Sequence, residues 1–277
     1  SHVLGLLVWL LVLHGSLGRQ VVGIDPGVFF SMKLAIITDT HWGVRNDHPA
    51  FLDNTKLFLD TVFFPTIDKY GITQVLHLGD LVDRRKYINF NTARRLRVDF
   101  LHQMTVRGIT FSIIAGNHDT YFKNTNEINS LIELIYGPLP EARVVWSPCE
   151  WYFDGLKVCM LPWICDDNRK DVEELVRKTD ARICFAHLEL DGFEMYKGIA
   201  NIGGDNPDLY AKFDSVYTGH YHHKSDNRNI HYLGGHGQFT WSDFDDIRGF
   251  HIFNTDTQEI EFIENPHTMF AKVWYDD

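Results

Sequence analysis

The stretch Ile109–Phe122, "ITFSIIAGNHDTYF", begins as a buried strand does, with apolar and β-branched residues in close succession. It then breaks at Gly116 and sets Asn117, His118 and Asp119 side by side. An apolar run bounded by a glycine reads as a core strand, but three ligand-capable side chains at its end serve no packing purpose. In an open α/β sheet, ligands bind just beyond the carboxyl ends of the strands. The same arrangement recurs along the chain. "KLAIITDTH" (Lys33–His41) delivers Asp39 and His41, and "VLHLGDLVD" (Val75–Asp83) delivers Asp80 and Asp83. "RICFAH" ends in His187, and "SVYTGHYH" ends in His220 and His222.

Amphipathic segments separate the first three strands. "PAFLDNTKLFLDTVFFPTIDKY" (Pro49–Tyr70) and "NFNTARRLRVDFLHQMTVRG" (Asn89–Gly108) each predict a continuous helix, the second with Asn91 or Thr92 near its N-cap. "NEINSLIELIYG" predicts a third helix. The βαβαβα order implies a parallel sheet with right-handed crossovers. The second half carries short strands, one helix ("NRKDVEELVRKT") and a terminal hairpin turning at Asp256–Gln258.

With 277 residues, 44% of them hydrophobic, the chain can bury one sizeable core. Its net charge of −11 argues against coating nucleic acid through bulk charge and leaves room for a local basic track. Cys149, Cys159, Cys165 and Cys184 form no CxxC pair and are expected as buried free thiols in a reducing compartment. Near the start, "VLGLLVWLLVL" (Val3–Leu13) is too short to span a bilayer and matches the length of a signal-peptide core, yet no Lys or Arg precedes it. Residues 1–31 are therefore expected to be a leader or a non-native extension, with Met32 as the natural start and residues 32–277 as the folded domain. Secretion follows only if residues 1–20 are a true signal peptide.

A single His or Asp at a strand end is usually a satisfied surface or core residue. Five strand ends with the same chemistry make that accident improbable. Carboxylate, amide oxygen and imidazole together suit Mn²⁺, Fe or Zn²⁺, and the lack of thiolate argues against a structural zinc site. Asp39/His41 and His220/His222 are spaced two apart, so in extended backbone each pair points one way. Gly79, Gly116 and Gly219 precede the ligands and allow close backbone approach.

The order D-x-H, G-D-x-x-D, G-N-H-D, H, G-H-x-H resembles the calcineurin-like metallophosphoesterases over roughly Lys33–Ile263. The resemblance implies a four-layer α/β/β/α sandwich of two mixed sheets and phosphoester hydrolysis with two divalent metal ions, Mn²⁺ favoured over Fe or Zn²⁺. By that likeness Asp39, His41, Asp80 and His222 hold one metal, and Asp80, Asn117, His187 and His220 hold the second. His118 would meet the phosphate and the leaving oxygen, with Asp83 and Asp119 orienting their neighbours. "TDTHWGVR", "HLGDLVDRRKYINFNTARRL" and "VYTGHYHHKSDNRNIHYLGG" are similar to the SbcD-type nuclease subunits and their phage relatives. That likeness implies a DNA exo/endonuclease of repair or recombination, cytoplasmic in a bacterial or phage-infected cell. It also implies an SbcC-type ATPase partner, a homodimer and no membrane partner.

Arg84, Arg85, Lys86 and Arg94 form a basic cluster beside Asp80 that would hold the DNA backbone. SbcD-type proteins usually continue into a cap and an ATPase-binding segment. Here "ENPHTMFAKVWYDD" stops about where the cap would begin, so the sequence reads as either truncated or a minimal nuclease core without the usual C-terminal cap. The alternatives are a generic metallophosphatase or phosphodiesterase acting on a small phosphate ester or phosphoprotein, and a non-catalytic scaffold. The scaffold is disfavoured because no ligand is lost. His77, His102, His231 and His251 are expected to be structural, and His236 to line the cleft.

Overall fold

The computed structural model describes residues 32–274, so the leader expected over residues 1–31 lies outside the described residues. The first sheet begins with β1 (Lys33–Ile37), the short turn α1 (Val44–Asp47), α2 (Pro49–Phe58), α3 (Phe64–Tyr70) and β2 (Gln74–His77). It continues through α4 (Phe90–Arg95), α5 (His102–Val106), β3 (Thr110–Ile114), α6 (Ser130–Ile135) and β4 (Arg143–Val145). β1, β2, β3 and β4 pair in parallel, as the alternation of strand and helix requires.

The two long helices expected over 49–70 and 89–108 are each interrupted by a π-wound turn, at Leu59–Phe63 and Leu96–Leu101. A π turn accommodates one extra residue, and here it lets neighbours in sequence face the same core. Phe63 and Phe64 are both buried, as are Phe100 and Leu101. Asn89 caps α4 by accepting the Asn91 amide, upstream of the cap expected at Asn91 or Thr92. Thr92 is buried instead and donates to Asp47 Oδ1 at 2.6 Å.

Beyond β4 come β5 (Cys149–Phe153), β6 (Leu156–Leu161), α7 (Arg169–Lys178) and β7 (Ile183–His187). Then follow β8 (Glu194–Tyr196), β9 (Ile199–Ala200), β10 (Ser215–Gly219), β11 (Ser225–Asn227) and β12 (Ile230–Tyr232). β13 (Arg248–Asn254) and β14 (Ile260–Asn265) form the expected terminal hairpin. The β8/β9 hairpin and β11 were not foreseen; a run such as Ser-Asp-Asn has no apolar alternation to announce a strand.

The strand orders are β14-β13-β1-β2-β3-β4 and β11-β12-β10-β7-β6-β5, both sheets mixed. Three apolar clusters define the layers. Ala35, Val75 and Ile113 of the first sheet pack on Phe58, Phe63 and Phe100 of its helices. Leu34, Leu76 and Ile114 alternate with them and meet Val158, Phe185 and Tyr217 of the second sheet. Cys159, Cys184 and Val216 pack on Val172 and Val176 of α7. The result is the four-layer α/β/β/α sandwich. The four cysteines are free, with Cys149 partly exposed and the others buried. None of the described helices is long and apolar enough to cross a membrane.

Phe63 lies at the centre of the helical cluster, its ring 4.8 Å from Phe250 and 5.2 Å from Phe64. Phe63→Ala should cost ~3–5 kcal/mol, read in urea as a lower midpoint at unchanged m. A loss below ~1 kcal/mol would mean that the π turn repacks and closes the cavity.

Candidate metal centre

Three sets of hydrogen bonds from backbone amides bring the strand ends together. The amides of Asp39, His41 and Trp42 donate to the carbonyls of Gly79, Asp80 and Leu81 at 3.0, 3.1 and 2.8 Å, zipping the β1 loop onto the β2 loop. Asp119, fully buried, accepts amides from Asp80 (2.8 Å), Leu81 (2.9 Å), Val82 (3.3 Å) and Gly116 (2.9 Å), tying the β2 and β3 loops together. Burial and the charge of Asp80 push its carboxyl up to about 7, against the pull of those amides. Across the sheets, the His220 amide donates to both oxygens of Asp39 at 3.1 Å.

Within this frame the polar side chains converge. His41 Nε2 lies 2.9 Å from His222 Nε2 and 3.9 Å from Asp39 Oδ1. Asn117 Oδ1 lies 3.1 Å from His187 Nε2 and 2.9 Å from His220 Nδ1. Asp80 stands between the two groups: its Oδ2 is 3.6 Å from His41 Nε2 and 3.5 Å from His187 Nε2, while its Oδ1 accepts the His118 amide at 2.7 Å. Asp39/His41/His222 and Asp80/His187/His220 thus form two clusters able to hold cations, and a third, His41/Asp83/His118, shares His41.

Carbonyl oxygens only accept, so two tautomers follow from partners. His187 Nδ1–H donates to Leu78 O at 2.7 Å, which turns Nε2 toward Asp80 and Asn117, where it can bind a cation once its own proton has left. His118 Nδ1–H donates to Asp83 O, which frees its Nε2. His41 Nδ1 is buried without a hydrogen bond, 3.5 Å from Asp83 Oδ1.

Charge and donor type both suit cations. Burial drops His220 to about 3 and His222 well below the ordinary imidazole range, so both rings are neutral and able to accept a cation. Burial also pulls His187 down, but Asp80 and Asp39 overcome it and raise the ring to about 9. His41 is raised by Asp83, Asp80 and Asp39 against the same opposing burial. Asp80 is held well below the ordinary carboxylate range by His187, His41 and His118, against its own burial. Without metal, positive charge on the His187 imidazole offsets part of the negative charge of the buried carboxylates.

The glycines give the closest fit. A Cβ on Gly116 would stand 2.3 Å from Asp80 Oδ1, one on Gly79 2.5 Å from His187 Nδ1, and one on Gly219 2.2 Å from Thr38 Oγ1. The backbone approaches the polar cluster too closely for any side chain.

The paired spacing works differently from the expectation. Asp39 (φ 51) and His41 (φ 43) are left-handed rather than extended, as are Asp80 (φ 56) and His220 (φ 91). The strands end at Ile37, His77 and Gly219, and Asp39, His41, Asp80, His220 and His222 sit in the turns beyond them. Asp39 and His41 still converge, because the β2 loop holds their backbones.

Of the basic cluster, Arg84 pairs with Asp47 and Asn46, and Arg85 donates to Thr120 and Phe122, while Lys86 and Arg94 are exposed. His236 does not line the cleft: it is buried beside Phe58 and Phe239, 3.2 Å from Thr55 Oγ1. Two neighbours of the site escaped the sequence reading. Trp163 packs 5.1 Å from the His220 ring, and Phe239 packs 5.8 Å from His41 and 5.7 Å from His222. Trp163 follows Pro162 just past β6, where the strand-end rule, had it been extended to aromatic residues, would have found it.

The calcineurin-like phosphoesterase family matches residues 32–256. Exonuclease subunit 1 of Enterobacteria phage T4 is 33% identical over 248 residues, covering 88% of this chain and 71% of that protein. A solved archaeal phosphodiesterase aligns over 84% of this chain and 100% of its own, at 14% identity and a TM-score of 0.41, a likeness too loose to argue from. The family match spans every converging side chain described above, and the chain belongs to the calcineurin-like phosphoesterases, hydrolases that work with divalent metal ions.

Proposed function

We propose that the chain is the nuclease subunit of a DNA-processing complex and cleaves phosphodiesters with two metal ions. The observation that carries this reading is the place of Asp80 Oδ2, almost equally far from His41 Nε2 and His187 Nε2. Asp39, His41, Asp80 and His222 would hold one ion, and Asp80, Asn117, His187 and His220 the other, with Asp80 common to both. Oxygen and imidazole donors accept Mn²⁺, which we favour, as well as Fe and Zn²⁺. When bound, the ions would polarise the phosphoryl oxygens and lower the pKa of an attacking water.

The protein's own groups do the rest. His118, anchored through Nδ1–H on the Asp83 carbonyl and through its amide on Asp80, presents Nε2 to the leaving oxygen and, when the ring is doubly protonated, can give it the Nε2 proton. Asp83 faces His41 Nδ1 and orients that ring; Asp119 fixes the loop that carries Asp80. Among the described residues no serine or cysteine occupies the cluster, which fits phosphoryl transfer by positioning and electrostatics.

The phage T4 relative is named an exonuclease subunit, and this favours DNA as substrate and a second subunit as partner, which we take to be an SbcC-type ATPase. Such an enzyme would work in the cytoplasm beside DNA. Residues 32–277 would constitute the nuclease domain. Lys86 and Arg94, both exposed, would meet the phosphate backbone.

Linear duplex and single-stranded DNA incubated with Mn²⁺ should be degraded, and chelation should stop the reaction. Intact DNA alongside hydrolysis of bis-nitrophenyl phosphate would favour a small-ester phosphodiesterase instead. His118→Ala should keep its metal content and lose about 10²–10⁴ in turnover; loss of the metals in that variant would show that the ring holds an ion.

The pH dependence follows from His187. Its folded pKa of about 9 exceeds the unfolded value of about 6.5. The contribution of this proton to the stability of the metal-free protein is therefore full below about pH 6.5 and lost as pH rises through about 9. Metal binding must displace the proton. Adding Mn²⁺ to metal-free protein at neutral pH should release at least about one proton, read as a calorimetric heat that scales with buffer ionisation enthalpy. Heat independent of the buffer would remove His187 from the ligands.

A further inference from the structure

Beside the metal centre lies a cleft that phosphoester chemistry does not use. The chain leaves Asp80 into the 81–90 loop and leaves His118 into the 120–129 loop, and the two enclose a cavity of about 180 Å³. Arg85 clasps the loops together, donating to the Thr120 hydroxyl at 2.9 Å and to the Thr120 and Phe122 carbonyls at 3.4 and 3.3 Å. Tyr87 and Tyr121 line the cavity, 66% and 37% exposed. Each ring carries a cation: the Arg84 guanidinium lies 4.7 Å from the Tyr87 centroid, and the Lys86 ammonium 5.3 Å from that of Tyr121. Phe122 braces Tyr121 edge-on at 4.8 Å. The Ser130 hydroxyl is buried without a partner in the cavity lining, and Glu133 adds a carboxylate.

Exposed aromatic rings that share one cleft, rather than lying scattered, mark a binding site. The occupant must be planar and able to stack, and the cations poised above the rings favour a ligand attached to negative charge. A phosphate within the cleft would face Glu133. The amino edge of a nucleobase could instead donate to the exposed Glu133 carboxylate. The cleft adjoins the chemistry, since Asp83, whose carbonyl holds His118 Nδ1–H, lies between the lining residues Val82 and Arg84.

We propose that this cleft receives one unstacked nucleobase of the DNA strand whose phosphate lies at the metal centre. The inference rests on the nuclease reading above and deepens it. A base can enter only after leaving its stack, which costs least in single strands and at frayed ends. Stacking on tyrosine is sequence-tolerant, because every base has a π face. The subsite therefore selects strand ends and single strands without selecting sequence.

The test uses the intact protein and a single-stranded oligonucleotide carrying 2-aminopurine and uncleavable phosphorothioate links. Binding should quench the fluorophore. Tyr87→Leu and Tyr121→Leu should each raise Kd roughly 5- to 150-fold and abolish the quench. Tyr87→Phe and Tyr121→Phe should retain both, since the ring rather than the hydroxyl stacks. Tyr152→Leu, exposed on β5, is the control for generic aromatic contact and should change neither reading. Unchanged Kd and quench in the Leu variants, with DNA still cleaved, would overturn this inference alone. Wild-type protein that hydrolyses bis-nitrophenyl phosphate yet binds no oligonucleotide would overturn the nuclease reading and the base subsite with it.

Discussion

Everything at the metal centre hangs on the Asp119 carboxylate and the amides it accepts from Asp80, Leu81, Val82 and Gly116. A buried carboxylate is costly unless hydrogen-bonded, and here each bond is to a backbone group that helps to place the site. Through Leu81 the constraint reaches Trp42, and through Asp80 it reaches His41; through Gly116 it reaches Asn117 and His118. The His187 ring, donating to Leu78, and the His220 amide, donating to Asp39, carry the constraint into the second sheet. A metal centre assembled from five strand ends needs its backbones fixed before its side chains can converge, and Asp119 supplies the first link.

That convergence has an energetic cost. Asp39, His41, Asp80 and His220 all adopt left-handed backbone angles without being glycine, each worth ~1–3 kcal/mol of strain. Together they approach the ~5–15 kcal/mol net stability of a whole domain. Such strain persists only where the surroundings over-determine the conformation. The three apolar clusters provide that determination, with Leu34, Ile36, Leu76, Leu78 and Ile114 fully buried immediately before the ligand turns. Rigid strands end abruptly, and the strained turns beyond them have nowhere else to go.

Much of this was legible in the sequence because two periodicities and one rule coincide. Apolar runs mark the parallel strands, the i, i+3, i+4 pattern marks the helices, and the strand-end rule gathers Asp39, His41, Asp80, Asn117, His187, His220 and His222 from the sequence alone. What stayed hidden is physically of another kind. The π turns at Leu59–Phe63 and Leu96–Leu101 leave the helical pattern nearly intact while rotating one face, so periodicity alone cannot see them. The left-handed state of Asp39 and His41 comes from hydrogen bonds to the β2 loop, residues far away in the chain. The fate of Arg84 and Arg85 depends on Asp47 and Thr120, which no local reading could have paired with them.

The inward turn of those two arginines changes how DNA would be held. Read from sequence, Arg84, Arg85, Lys86 and Arg94 are four phosphate contacts. In the fold, Arg84 is paired with Asp47, and Arg85 is spent on joining two loops. Each phosphate neutralised contributes about 0.9 to the slope of log K against log salt, so a surface that keeps few open cations gives a shallow salt dependence. A chain of net charge −11 gains little from bulk attraction either. Affinity for a nucleic acid would then have to come from contacts that salt does not screen. The exposed faces of Tyr87 and Tyr121 are the groups beside the metal centre that offer them, and the arginines lost to direct phosphate binding serve by fixing one of those rings and the loop that carries the other.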